Sequence, residues 1–360
     1  MFKYFKSLKS CAVAVVVLLA SCKHDNLLVP KPNENIRPAA DFIKNNYDFR
    51  LFYTALEYTD LVKELNAPGP VTVLAVPDNG WNALGISTDA QVRSLNKDSL
   101  RHALQYHILT NRRWITTDFA TNGVDIRYET MAGESVYASA VTSNKDYFFD
   151  GAMIVRSDIV LANGVLQVLN KFMQYHKDQS VQGYLAANPQ FSIFVSGLKK
   201  FGLWDDLATR GPYTIFAPDN DAFVSNGITA EMINSLDAGL YHAQRLFGCY
   251  VLDQSHFFVS DQHVFRSLGA EYEYPSKLKN DTWYIQFATS LMTTNPSDRF
   301  FTPYPEMSLW KPGASLPDRI GWVRQSSSDV KPLVWYDHLC ENGIVHRMHG
   351  LVAVPTDALK

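Results

Sequence analysis

Ten histidines, four cysteines and a few paired acids are the side chains here that could carry chemistry. His346 and His349 have the look of a metal pair. On a strand, however, residues three apart face opposite sides, and no carboxylate or thiol stands at ligand spacing beside them, so they read as structural. His102 and His107 are five apart, a poor spacing for one helical face. Asp205-Asp206 and the pair Glu57 and Asp60 read as solvated faces or helix caps. Asp78 and Asp219, each after a proline, suit turn hydrogen bonds. No His-Glu-x-x-His, Gly-x-Ser-x-Gly, Cys-x-x-Cys or Gly-rich phosphate loop is present, and no acids stand out as a glycosidase couple. The chain therefore reads as a protein that is not an enzyme, with no metal or cofactor implied. An undetected hydrolase, which needs converging acids or a nucleophile–base pair in a pocket, is the remote alternative.

The cysteines divide by position. Lys3, Lys6 and Lys9 precede a ten-residue apolar run, Cys11 to Ala20. That run has the size of a signal-peptide core and is too short to span a bilayer. It ends in Leu19-Ala20-Ser21-Cys22, which resembles the lipobox of bacterial lipoproteins. The resemblance implies cleavage after residue 21 and acylation of Cys22, each buried methylene of the acyl chains contributing about 0.8 kcal/mol of anchoring. With Lys23 rather than Asp after the cysteine, the expected site is the outer membrane, at the cell surface or its periplasmic face. No later segment is apolar enough to span a membrane. Cys249 and Cys340 remain. Outside the cytoplasm they could form a disulfide or stay as two buried thiols, and sequence leaves both open. The net charge of -3, with no basic cluster, excludes nucleic acid as a partner.

Elements that could position a site emerge from a repeat. Phe49, Phe52, Leu56, Leu61, Leu65, Gly69, Pro70, Thr72 and Ala75 recur as Phe191, Phe194, Leu198, Leu203, Leu207, Gly211, Pro212, Thr214 and Ala217, each displaced by 142. Pro77-Asp78-Asn79 matches Pro218-Asp219-Asn220 after a one-residue slip, and Gly85-Ile86 matches Gly227-Ile228 at the original displacement. The spacing predicts an amphipathic helix, a second short helix stopped by Gly-Pro, then a buried strand over Val71 to Val76 and over Tyr213 to Ala217.

Gly211-Pro-Tyr-Thr-Ile-Phe-Ala-Pro-Asp-Asn-Asp-Ala-Phe223 resembles the first signature block of fasciclin-like domains, and residues 69 to 79 are a looser copy. Leu104 to Leu109, with Tyr106-His107, resembles the second block. Asn163 to Leu169 and Asn342 to Met348 resemble the closing strand. The resemblance implies an α+β architecture of two tandem fasciclin-like domains, each a β-sandwich or wedge with packed helices. The expected order is a signal peptide over 1–21, a lipidated tether over 22–37, a first domain over 38–176 and a second over 177–357. In animal relatives the Tyr-His pair is linked to adhesion; here it reads first as a structural pair, with adhesion as the other reading. The second copy has Cys249-Tyr250 at that place.

The second copy also carries about 36 additional residues, placed between about 272 and 336. Four of the seven tryptophans, Trp283, Trp310, Trp322 and Trp335, fall there with Tyr284, Phe300, Phe301 and Tyr304. Aromatic faces suit sugar rings or a partner's apolar patch, or they cover the insert's own small core. The expected function is a lipid-anchored envelope protein that binds or adheres to an extracellular glycan or protein. It could equally accompany an outer-membrane transporter or another lipoprotein as an accessory subunit for nutrient (glycan) uptake. A purely structural spacer is the alternative.

Overall fold

The computed structural model describes residues 36–119, 121–269, 276–292, 302–313, 319–324 and 333–360. The expected signal peptide and Cys22 lie outside them, as do Phe300 and Phe301. Among the described residues no helix is long and apolar enough to cross a membrane.

The first copy opens with α1 (Ala39–Lys44), α2 (Arg50–Tyr58) and α3 (Val62–Leu65). Phe49, Phe52, Leu56, Leu61 and Leu65 are all buried, which is what an apolar helical stripe laid on a sheet requires. Strand β1 (Val71–Ala75) follows, then α4 (Asp78–Ala83), α5 (Asp89–Ser94) and α6 (Lys97–Tyr106). Six strands complete the copy: β2 (Ile108–Thr110), β3 (Gly123–Glu129), β4 (Ser135–Val141), β5 (Asp146–Phe149), β6 (Ala152–Leu161) and β7 (Gly164–Leu169). They form one sheet in the order β2-β1-β7-β6-β5-β4-β3, with β1 and β7 parallel.

The second copy repeats the plan. β8 (Gln174–His176) leads into α7 (Val181–Ala187) and α8 (Ser192–Lys200), then β9 (Tyr213–Pro218), α9 (Asn220–Val224), α10 (Ala230–Ser235), α11 (Ala243–Leu246) and β10 (Val251–Asp253). After α12 (Asp261–Ser267) come β11 (Ser276–Lys277), β12 (Tyr284–Met292), β13 (Thr302–Trp310) and β14 (Arg319–Arg324). These four form their own antiparallel sheet in sequence order. β15 (His338–Cys340) and β16 (Gly343–Met348) return to the main sheet, whose order is β10-β9-β16-β15-β8. The aromatic stretch thus supplies strands as well as loops.

The same hydrogen bonds hold both copies. Asn163 Nδ2 donates to the carbonyls of Leu65 and Ala67, both at 2.7 Å, and its Oδ1 accepts the Ala39 amide. Asn342 does the same for Leu207, Arg210 and Val181. Gly-Pro does more than stop a helix. A Cβ on Gly69 would stand 1.8 Å from the Asn163 carbonyl oxygen, and one on Gly211 would stand 2.5 Å from that of Asn342. Only glycine lets the strand pass so close to the closing turn. Both Gly-Pro peptide bonds are cis. The slip read at Pro-Asp-Asn needs correcting. Asp78 Oδ1 accepts the Leu51 amide at 2.8 Å and Asn220 Oδ1 accepts the Ile193 amide at 3.0 Å. The counterpart of Asp78 is therefore Asn220, at the unbroken displacement.

Candidate functional site

Tyr106 ends α6 and His107 follows it, so the pair enters β2 from the helix side with both rings turned into the protein. Both are buried. His107 Nδ1 donates to the Ala103 carbonyl at 2.9 Å, and Nε2 accepts the Met173 amide at 3.1 Å. That bonding fixes a neutral tautomer, and burial pulls its pKa down to about 4. The Tyr106 hydroxyl donates to Asp150 Oδ2 at 2.6 Å, with the Ser135 carbonyl 3.1 Å away. Tyr106 stacks on Tyr175 at 5.0 Å, and His107 meets Phe172 edge-on at 5.1 Å. The pair therefore props the segment Lys171 to His176, which carries the chain from the first copy into the second.

That segment is the seam of the molecule. β8 pairs in parallel with β15, so the connector becomes the edge strand of the second sheet. Lys171 Nζ and Asp337 Oδ2 form an ion pair with both side chains 3% exposed. Asp337 sits at φ +67, a conformation Asp tolerates, and a Cβ on Gly151 would collide with its carboxylate. Its other oxygen accepts the Val259 amide at 2.8 Å, and its own amide donates to His346 Nδ1 at 3.0 Å. His346 Nε2 in turn faces the Phe257 carbonyl at 3.3 Å, and burial holds this ring at a pKa of about 4. His176 and His338 share a ring-to-ring hydrogen bond of 3.0 Å. His263 bonds Asp146 at 3.0 Å, and Tyr175 donates to Glu341 at 2.8 Å. Burial pushes both Asp150 and Asp261 up to about 7, and neighbouring carboxylates, Asp337 among them, add to the shift. Phe258, Leu339 and Ile344 close the seam with Tyr137 and Tyr175.

Trp283, Trp310 and Trp322 belong to the insert. Trp283 and Trp310 are each 7% exposed. Arg245 lies over the Trp283 ring at 4.2 Å. Trp283, Ile285, Phe287, Met307, Leu309 and Val323 share the second copy's core. Trp335 is half-buried beneath Arg347, whose guanidinium is 3.7 Å from the ring centre. Trp322 is 43% exposed, with Arg319 at 4.6 Å and its Nε1 donating to Glu306. Two of the four rings are thus buried, one is half-buried and one is exposed.

Cys249 and Cys340 are free and buried. The Cys249 thiol donates to the Arg245 carbonyl at 3.3 Å and the Cys340 thiol to the His338 carbonyl at 3.8 Å. The disulfide alternative is corrected accordingly: each thiol serves its own element, and burial pushes both thiol pKa values up. His346 and His349 reach different carboxylates, Asp337 and Asp219. Asp219, Asp221 and His349 place ligand atoms within 4.8 Å of one another. The Arg347 guanidinium, however, stands 2.8 Å from Asp219, which also caps α9 through the Ala222 amide. The arrangement is a salt-bridged helix cap. His102 bonds Glu134 rather than His107. Asp60 and Asp206 form solvent-exposed pairs with Lys97 and Arg210, where water screens the attraction.

Lys171, Asp150 and Asp337 escaped the sequence reading. Two of them left a signal: Lys171 interrupts Val168-Leu169-Asn170-Lys171-Phe172-Met173, and Asp337 interrupts Leu333-Val334-Trp335-Tyr336-Asp337-His338-Leu339. A lone charge inside an apolar run implies a buried partner.

A family model for the fasciclin domain matches residues 47–175 and 189–296. The second match ends at residue 296, short of β16. Transforming growth factor-beta-induced protein ig-h3 of Sus scrofa is 27% identical over 189 residues, 50% of this chain and 26% of that protein. This chain thus spans about a quarter of that relative's length. Protein sll1483 of Synechocystis sp. is 30% identical over 131 residues, 35% of this chain and 67% of that protein. Among solved structures, the FAS1 domain pair from the insect cell adhesion molecule fasciclin I covers 87% of this chain and 99% of its own, at 14% identity and a TM-score of 0.35.

Proposed function

The chain belongs to the fasciclin family, and from that premise we propose that it is an envelope-anchored adhesion protein, held at the outer membrane by acyl chains on Cys22. Fasciclin domains are non-catalytic adhesion and binding modules, and the chain is not an enzyme. The observation that carries the adhesion reading is the seam. A buried ion pair and a shared strand join the two modules, so a load or ligand at one is passed to the other without a slack linker. The anchor reading is supported by the lysines, apolar run and Leu19-Ala20-Ser21-Cys22 at the N-terminus.

The test compares cells expressing the full chain with cells expressing Cys22→Ala. The full chain is expected to take up an acyl label, to sediment with the envelope and to raise attachment to neighbouring cells or matrix above that of cells lacking it. Cys22→Ala should lose all three. If the variant still sediments and supports attachment, lipid anchoring is not how the protein is held.

A further inference from the structure

In the first copy the edge strand β2 is sealed. Ile108 and Leu109 are fully buried, and the Ile108 carbonyl, turned away from β1, accepts the Met131 amide at 2.7 Å. Met131 and Ala132, at the tip of the β3–β4 hairpin, pack against that core. β10 is the same strand of the second copy: Val73 pairs with Ile108 as Ile215 pairs with Val251. Alternation along an antiparallel pair therefore turns the Val251 carbonyl outward as well. There it meets no donor among the described residues. Val251 and Leu252 are only half-buried where their counterparts are fully covered, and Leu203 is half-buried where Leu61 is not exposed at all. A cleft of about 560 Å³ lies beside these uncovered positions, its far wall made by Leu278, Ile285 and Phe287 at the start of the four-stranded sheet. That volume is in the range of ligand sites. The cleft lies between β10 and β11, the end strands of their two sheets among the described residues.

We propose that this cleft takes a short peptide segment of a protein partner, whose main-chain N–H meets the Val251 carbonyl and whose apolar side chain fills the place that Met131 fills in the first copy. The repeat itself supplies the argument for the occupant. The same edge, one domain earlier, is covered by a backbone amide and the apolar side chains next to it, and an outward carbonyl on an edge strand is a template for such pairing. A fatty acyl chain would cover the apolar wall but has no donor for the carbonyl. The proposal rests on the binding reading above and names the chemistry of the partner.

The test uses the full chain in detergent and a capped synthetic peptide with the sequence of residues 128–135, Tyr-Glu-Thr-Met-Ala-Gly-Glu-Ser, titrated by calorimetry. Saturable binding is expected. Methylating the methionine amide nitrogen should weaken it by about tenfold or more, through loss of the donor, and an aspartate in place of that methionine should abolish it. Both changes are made on the peptide, so misfolding of the protein cannot mimic them. No saturation by the parent peptide overturns the proposal. So does equal binding of the N-methylated peptide, the behaviour of a cleft that takes apolar matter or sugar without reading a backbone. Cell attachment is measured separately, so failure here leaves the adhesion reading to its own test.

Discussion

Tyr106 and His107 act on the chain that passes over them. Tyr106→Phe removes the hydroxyl from Asp150, a carboxyl with no exposed surface. Leaving such a group short of a donor costs about 1–3 kcal/mol. Urea unfolding should show that loss with the slope of the transition unchanged. His107 carries a pH signature. Its folded pKa is about 4 against an ordinary 6.5, so between those values the unfolded chain binds a proton that the folded chain refuses. Stability should fall as pH drops from about 6.5 towards about 4. Asp150 acts in the opposite direction. Its folded pKa is raised to about 7 from 3.8, so its burial is least unfavourable below about 4 and costs progressively more as pH rises from there to about 7. The two windows overlap, so His107→Gln should remove the part of the slope that lowers stability towards pH 4, and Asp150→Asn the part that lowers it towards pH 7. An unchanged slope in His107→Gln would mean that the ring titrates as in water.

At the scale of elements, the inserted strands divide by what their aromatics touch. Trp283→Ala should cost about 3–5 kcal/mol, because a nearly buried indole leaves a cavity beneath Arg245. Trp322→Ala should cost less than about 1 kcal/mol, since the ring is 43% exposed. Chemical unfolding of the two variants side by side checks this; equal losses would place Trp322 in the core. Elements were the scale most legible in the sequence. The Phe and Leu stripes of α2 and α8 and the strands after each Gly-Pro followed from period and composition. The Asp78–Asn220 equivalence did not, because a repeated Pro-Asp-Asn string outweighed an uninterrupted register. Nor did the four-stranded sheet, because proline lacks the N–H that a strand interior uses and so argues against strand. Pro303 and Pro305 nevertheless stand within β13, opposite Leu291 and Thr289 of β12.

For the molecule as a whole, the seam was the least legible feature. Lys171 and Asp337 are 166 residues apart, and only the fold brings them together. Lys171→Met leaves a carboxylate buried and unpaired, which costs about 3–5 kcal/mol, and Asp337→Asn in the same chain should recover part of it. Adhesion loads the two modules in series, so the account depends on their behaving as one body. The most direct test is equilibrium unfolding of the full chain, followed by hydrogen exchange in β7 of the first copy and β16 of the second. The account predicts that both strands lose protection over the same range of denaturant in the wild type and separate in Lys171→Met. Two separate transitions in the wild type would contradict it, and the chain would then be two independent modules joined by a strand.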